Sequence, residues 1–434
     1  MTAGHVRESR AARAQARKKR NSWLTGALIA LGAILAVVAA IFLGNALTPN
    51  TPVEVPVTAP VEQSAPQSEP EPEPEPDPVE FTLVFGGDIL IHNTVGWAAL
   101  NDGVYDFYPQ FTPTEPLIAN ADLAICGMEV PVGEEGSEVA GYPVFSAPPS
   151  VITGLRQAGW DGCWTATNHA LDQGFTGLTR TLDKLDSEGM GHVGTARTEV
   201  EAGSPQFYEL EKDGQTLTVA MISATEMTNG IPLPEDAPWA VEMLNADRAI
   251  ALAAAAREAG ADLVVANMHA GEEYQTEPTE TQVQYAEALA ASGQVDILVG
   301  GHAHVPQPFA LLPGGPHGDG MWVAYGTGNF ISGQGAPQTP ARSNSGILQY
   351  FNVVVDGDSV EVVSAEWAAI NMDREGGYVP YWLAASGAAG STASPEHLAE
   401  QYQMVVEAVG GGPATELVEL PAGGATVTVV PRPR

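Results

Sequence analysis

The chain has 434 residues, with 18 basic against 53 acidic side chains and a formal net charge of −35. That length provides one large domain or two ordinary ones, and the acidity excludes a nucleic acid as partner, because phosphate backbones are bound by clustered cations. The first 20 residues hold seven cations and one acid, so the remainder counts 11 against 52, a net of about −41.

Residues 1–22 read as a basic cytoplasmic segment. From Trp23 to Leu47 the stretch "WLTGALIALGAILAVVAAIFLGNAL" carries no charge, and a helix of about 20 apolar residues spans roughly 30 Å of hydrocarbon. Residues 23–47 are therefore expected to be a transmembrane anchor, with the cations on the inside and everything that follows exported. A cleaved signal peptide is the rival, since Gly44 and Ala46 suit a peptidase, but its apolar region would run to only about 7–15 residues. In residues 48–79 Pro alternates with Glu, which predicts a semi-rigid disordered linker with nothing to bury.

From residue 80 the texture changes to alternating strand and helix signals, which predict an α/β domain over residues 80–383. The strand candidates are "FTLVFGGD", "ADLAICGME", "DGCWTATNH", "QTLTVAMISAT", "ADLVVANMH", "VDILVGGHAH", "MWVAYGTGNF", "GILQYFNVVVDG" and "SVEVVSAEW". Between them "TGLTRTLDKLDSEGM" puts Leu178, Leu182 and Leu185 on one helical face and ends at glycine. "NADRAIALAAAAREAGAD" and "TETQVQYAEALAASGQVD" repeat that design. Residues 384–434 form a C-terminal extension with one helix, "SPEHLAEQYQMVVEAVGG", and a strand-like "ATVTVV". Cys126 and Cys163 close two apolar runs. A disulfide is chemically permitted in an exported domain, but two buried free thiols are the preferred reading.

The polar residues that follow the strands form a series. "GGDIL" carries Asp88, "GMEVPV" carries Glu129, "TNHALDQG" carries Asn168 and His169, "MHAGEEY" carries His269, and "GGHAHVPQP" carries His302 and His304. Ligands of open α/β sheets sit beyond the carboxyl ends of the strands, so all seven would share one edge. Carboxylate, amide oxygen and imidazole are the donors that Zn, Mn and Fe accept. Around them, Asp172 is read as the cap of the following helix, Glu272 as an orienting partner of a histidine, and His192 and His317 as surface residues.

Together with "YGTGNFISGQ", these motifs resemble the CapA family of poly-γ-glutamate capsule proteins, a branch of the calcineurin-like metallophosphoesterase superfamily, over roughly Phe81 to Trp367. The resemblance implies a four-layer α-β-β-α sandwich holding one or two divalent ions, Mn, Zn or Fe. It assigns Asp88 and His304 to one metal, Asn168, His269 and His302 to the other, Glu129 to a bridge between them, and His169 to general acid catalysis, for which an imidazole of ordinary pKa about 6.5 is suited. The chain departs from the superfamily's Asp-x-His motif at Leu90. His92, four residues after Asp88, replaces that ligand only if the chain turns there. Two functions follow as expectations: an anchored, outward-facing metal-dependent hydrolase acting on poly-γ-glutamate or a related anionic envelope polymer, or a non-catalytic polymer-binding or export component working with other capsule-synthesis proteins.

Overall fold

A computed structural model describes residues 77–434. The basic segment, the apolar span and nearly all of the Pro/Glu-rich linker lie outside the described residues, among which no helix is long and apolar enough to cross a membrane.

The first strand, β1 (Val79–Leu90), begins with alternating burial and then is buried on both faces, as befits a strand covered from two sides. It pairs in parallel with β2 (Leu123–Gly127), which pairs with β3 (Gly162–Trp164), and that with β4 (Gly191–Val193). The second sheet is built from β5 (Gln206–Lys212), β6 (Gln215–Thr225), β7 (Leu263–His269), β8 (Ile297–Gly301), β9 (Phe309–Leu312) and β10 (Met321–Ala324). Its inner strands β6, β7, β8 and β10 run parallel. The chain then returns to the first sheet: β11 (Asn329–Ser332) lies parallel to the end of β1, and β12 (Ser345–Asp356), β13 (Ser359–Asp373) and β14 (Val379–Leu383) add an antiparallel meander. The sequence reading joined β10 and β11 into one strand. They belong to different sheets, and the glycines between them, Gly326 and Gly328, carry the crossing.

Three apolar clusters define the layers. Phe81, Leu83 and Phe85 of β1 meet Val219 of β6, Val265 of β7 and Val299 of β8 in the core between the sheets. The alternate residues of β1 and β2 face α1 (Ser150–Gln157) and α2 (Gly174–Ser187), whose Leu178, Leu182 and Leu185 are buried as the spacing predicts. The outer face of the second sheet is covered by α3 (Ala246–Glu258) and α4 (Glu280–Ser292). Helix α4 starts in a Thr279/Gln282 capping box and stops at Gly293 in the left-handed region, which satisfies donors and acceptors that a helix end otherwise leaves open. The order is helix, sheet, sheet, helix. The C-terminal extension supplies α5 (Pro395–Val409), which buries Leu398, Val405 and Val409 in the inter-sheet cluster, and β15 (Thr426–Val430), which pairs with β5 and forms that edge of the second sheet.

Two expectations are corrected here. Cys126 and Cys163 stand directly opposite each other on β2 and β3, with Cα atoms 4.4 Å apart, and they form a disulfide; the strand register that brings them together is not written in either run. His192 is buried on β4, where its ring meets Asp186, Arg197 and Arg432. Burial lowers its pKa, against the opposing pull of Asp186. His317 is exposed, as read.

Candidate metal centre

Each donor is delivered by a strand end and fixed by its main chain. The Asp88 amide donates to Gly328 O (3.0 Å), tying the end of β1 to the loop before β11. Glu129 stands two residues beyond β2, and its carbonyl accepts from Thr167 Oγ1 (2.6 Å), so the loops carrying Glu129 and Asn168 are joined. His269 is the last residue of β7 and lies opposite Gly301 of β8. Space at Gly301 is tight: a Cβ there would sit 3.0 Å from His269 Nδ1 and 3.1 Å from Asp88 Oδ1, pressing on both donors. Just beyond, His302 (φ 84°) and His304 (φ 57°) adopt left-handed backbone, which costs non-glycine residues of order 1–3 kcal/mol each and persists where surroundings enforce it. Part of that enforcement is the Tyr274 amide, which donates to the intervening Ala303 carbonyl at 2.7 Å.

Asp88, Glu129 and His304 each offer a ligand atom within 4.8 Å of the others. His304 Nδ1 lies 3.3 Å from Asp88 Oδ2, and its Nε2 lies 3.7 Å from Glu129 Oε1. His269 reaches the same two carboxylates at 3.9 Å and 4.0 Å, and its Nε2 is 2.8 Å from Asn168 Oδ1. The His302 ring packs 5.1 Å from that of His269 and 6.1 Å from that of His304. Glu129 thus faces His304 on one side and His269 on the other. Asn329 Oδ1 stands 3.1 Å from His304 Nδ1.

All six side chains are buried, yet both oxygens of Asp88, both of Glu129, and Nδ1 of His269 and of His302 have no hydrogen-bond partner. A buried polar atom left unpaired costs about 1–3 kcal/mol, and more when charged. Two buried, unpartnered carboxylates beside three imidazoles therefore fit a divalent cation, which would answer these atoms with one charge. Burial drives the Glu129 carboxyl well above its usual range, Asp88 adding to this and His304 opposing it. Burial and the neighbouring imidazoles hold His269 well below the ordinary value and His302 down to about 4, keeping both neutral, the state that binds metal. For His304 burial pulls down, but Glu129 and Asp88 together raise it to about 9.

His169 lies beside this set without joining it. Its Nδ1 is 2.7 Å from Asp172 Oδ2, which also accepts the Phe145 amide at 2.7 Å, and the Phe145 ring meets the His169 ring edge-on at 4.7 Å. Asp172 therefore orients His169 and does not cap the helix, whose N-terminal Gln173 makes no side-chain cap. Glu272 is exposed and makes no hydrogen bond to a histidine among the described residues. His92 does not replace the missing ligand: its Nδ1 accepts the Gly333 amide at 3.1 Å, and its ring packs against the other side of the histidine cluster through Phe145 at 5.1 Å. Asn229 was missed by sequence reasoning. It holds Asn168 Nδ2 at 3.3 Å and stands 3.4 Å from both His169 ring nitrogens, from a left-handed turn (φ 50°) that the Asn-Gly pair signals only as a turn.

A cluster of buried, unpartnered carboxylates and imidazoles at the strand ends of a two-sheet α/β sandwich makes a candidate metal site. The family model described as "Bacterial capsule synthesis protein PGA_cap" matches residues 82–334, more than half of the chain, and the chain belongs to that family. It is 26% identical over 279 residues to the capsule biosynthesis protein CapA of Bacillus anthracis, covering 62% of this chain and 64% of that protein. To the PGA biosynthesis protein CapA of Bacillus subtilis it is 30% identical over 188 residues, 43% of this chain and 45% of that one; the matches thus span less than two thirds of either relative. Among solved structures, it resembles the calcineurin-like phosphoesterase YfkN of Bacillus subtilis (15% identity, 76% of this chain and 97% of that one, TM-score 0.38). It also resembles the NAD nucleotidase NadN of Haemophilus influenzae (11% identity, 78% and 64%, TM-score 0.41).

Proposed function

We propose that this chain is a membrane-anchored, outward-facing protein of capsule or envelope-polymer synthesis that cuts an anionic polyamide of the poly-γ-glutamate type by metal-dependent hydrolysis. The observation that supports this most is the set of unpartnered, buried atoms on Asp88, Glu129, His269 and His302 beside His304. In this reading Asp88 and His304 hold one divalent ion, Asn168, His269 and His302 a second, and Glu129 both. Such ions, when bound, polarise the group under attack and lower the pKa of water. The chain's own contribution to proton transfer is His169. With Nδ1–H given to Asp172, Nε2 is the atom that delivers a proton to the leaving group, and Asp172 holds the ring in place. The relatives named for capsule and PGA biosynthesis support the polymer as substrate.

A second reading has its own support. Leu90 fills the place of a ligand and His92 is engaged by Gly333, so the site has fewer ligands than the superfamily pattern described above, and a polymer-binding component of an export assembly needs no more. The two readings separate when full-length protein reconstituted with Mn, Zn or Fe is incubated with poly-γ-glutamate and chain length is measured. Shortening supports the hydrolase. Unchanged length, in a protein whose deletion abolishes polymer export, supports the assembly component.

The anchor makes a separate prediction. Protease added to intact cells should remove the folded part while the basic segment stays with the membrane. A soluble form beginning near Leu47 would contradict it.

A further inference from the structure

Outside the metal centre, one cavity stands out for its lining. A space of about 730 Å³ lies between the loop at Ala336–Gln338, the turn Asp373–Tyr378 and the start of α5, with Asn344, His397 and Gln401 on its walls. Small-molecule and segment-binding sites occupy about 300–1,000 Å³. The cavity is coupled to the donor set through one loop. Gly333 N–H donates to His92 Nδ1 (3.1 Å), and Gln334 Oε1 accepts from Asn329 Nδ2 (3.0 Å), whose own Oδ1 meets His304. Two residues further, Arg374 Nη1 donates to Ala336 O (2.8 Å) and Nη2 to Gln338 Oε1 (3.4 Å).

Charge singles out this cavity. After residue 20 the chain has 11 cations. Eight of them pair with carboxylates, and Arg432 is enclosed by main-chain carbonyls. Among the described residues, the remaining two cations, Arg342 and Arg374, likewise have no carboxylate partner, and Arg374 donates through Nη1 and Nη2 to the neutral acceptors Ala336 O and Gln338 Oε1. Arg374 lines the cavity, and Arg342 lies in the 3₁₀ turn Ala341–Asn344, whose ends line it. Arg374 Nε–H and Asn344 Oδ1 are both buried and unpartnered, one a charged donor, the other an acceptor. The two side chains come together beside Gly335 (φ 139°), where a Cβ would lie 2.7 Å from Arg374 Nη1 and 3.2 Å from Asn344 Oδ1. Two acids also line the space. Asp373 is consumed by Gly376 N–H, Ser391 Oγ and Thr392 Oγ1 at 2.7–3.0 Å, and Glu375 is exposed.

We infer that this cavity is a subsite for a polyamide chain bearing carboxylates, in which Arg374 takes a carboxylate and Asn344 an amide N–H. The inference rests on the polymer reading above and deepens it: in an ectodomain that repels anions overall, the two guanidiniums whose charge no carboxylate answers mark where such a chain is received. The arrangement lets one segment of the polymer be gripped while a neighbouring linkage reaches the donor set along the loop Gly333–Gln338.

The test measures binding of a fluorescent γ-linked glutamate decamer, and of its neutral side-chain-amide counterpart, to the full-length protein in detergent. Arg374→Glu should weaken the acidic decamer about 10- to 100-fold, the range for a charge-assisted hydrogen bond, and the neutral one by less than about threefold. His397→Asp, at a helix start that tolerates an acid, should weaken the acidic decamer in the same direction without disturbing Arg374. Metal content should be unchanged in both variants. Equal affinity of wild type and both variants, equal loss for the acidic and neutral decamers, or no binding by the wild type would each overturn the subsite. A wild type that lacks metal but binds the decamer through Arg374 would overturn the hydrolase reading and leave the subsite standing.

Discussion

His169→Asn should retain metal and fold while hydrolysing polymer about 10² to 10⁴ times more slowly, the usual worth of a positioned general acid. Asparagine can still donate to Asp172, so the pairing at 2.7 Å that closes this corner of the site is replaced and not emptied. What is lost is a titratable nitrogen that can carry a proton to the leaving group. The rate of poly-γ-glutamate shortening, measured beside metal content at several pH values, reads the two apart. Turnover equal to wild type at all pH values would remove His169 from the chemistry and leave Asp172 a structural partner only.

The second large effect concerns stability. Replacing Cys126 and Cys163 together by alanine should lower unfolding stability by about 4 kcal/mol, the chain-entropy value for a loop of this length, the two residues being 37 apart in sequence. The bond also staples β2 to β3, the two strands whose ends carry Glu129 and Asn168. Urea midpoints give the measurement, and reductant isolates the bond from the lost packing: it should shift the wild type and leave the variant unmoved. A wild type indifferent to reductant would show that the link contributes nothing.

The parts of the fold legible in sequence were those written in local periodicity. Leu178, Leu182 and Leu185 announce their helix, and the apolar runs before Asp88, His269 and His302 announce central strands, because a strand covered on both faces must be apolar throughout. The donor set was legible for the same reason: a polar residue that follows such a run has little choice but to lie at the strand's end. Pairings between distant segments were not. Strand β5 is absent from the strand candidates although exposed Glu209 and Glu211 alternate with buried Tyr208 and Leu210, and its partner β15 arrives only from the far end of the chain. Cys126 meets Cys163 through a strand register, and His192 is buried because Arg432 arrives from the far end of the chain. Asp172 was a near miss. Its spacing from His169 is that of a single turn, and the carboxylate turned back to the imidazole instead of forward to the helix.

We propose the buried atoms left unpartnered on Asp88, Glu129, His269 and His302 as metal ligands. Elemental analysis of the purified full-length protein tests this most directly, comparing wild type with Glu129→Ala, His302→Ala and His304→Ala, and with His317→Ala as the exposed control. The account predicts one or two divalent ions per chain in the wild type and in His317→Ala, a partial loss in each histidine variant of the site, and the largest loss in Glu129→Ala, which faces both His304 and His269. Equal metal content in all five proteins, or none in the wild type after reconstitution with Mn, Zn or Fe, would contradict it.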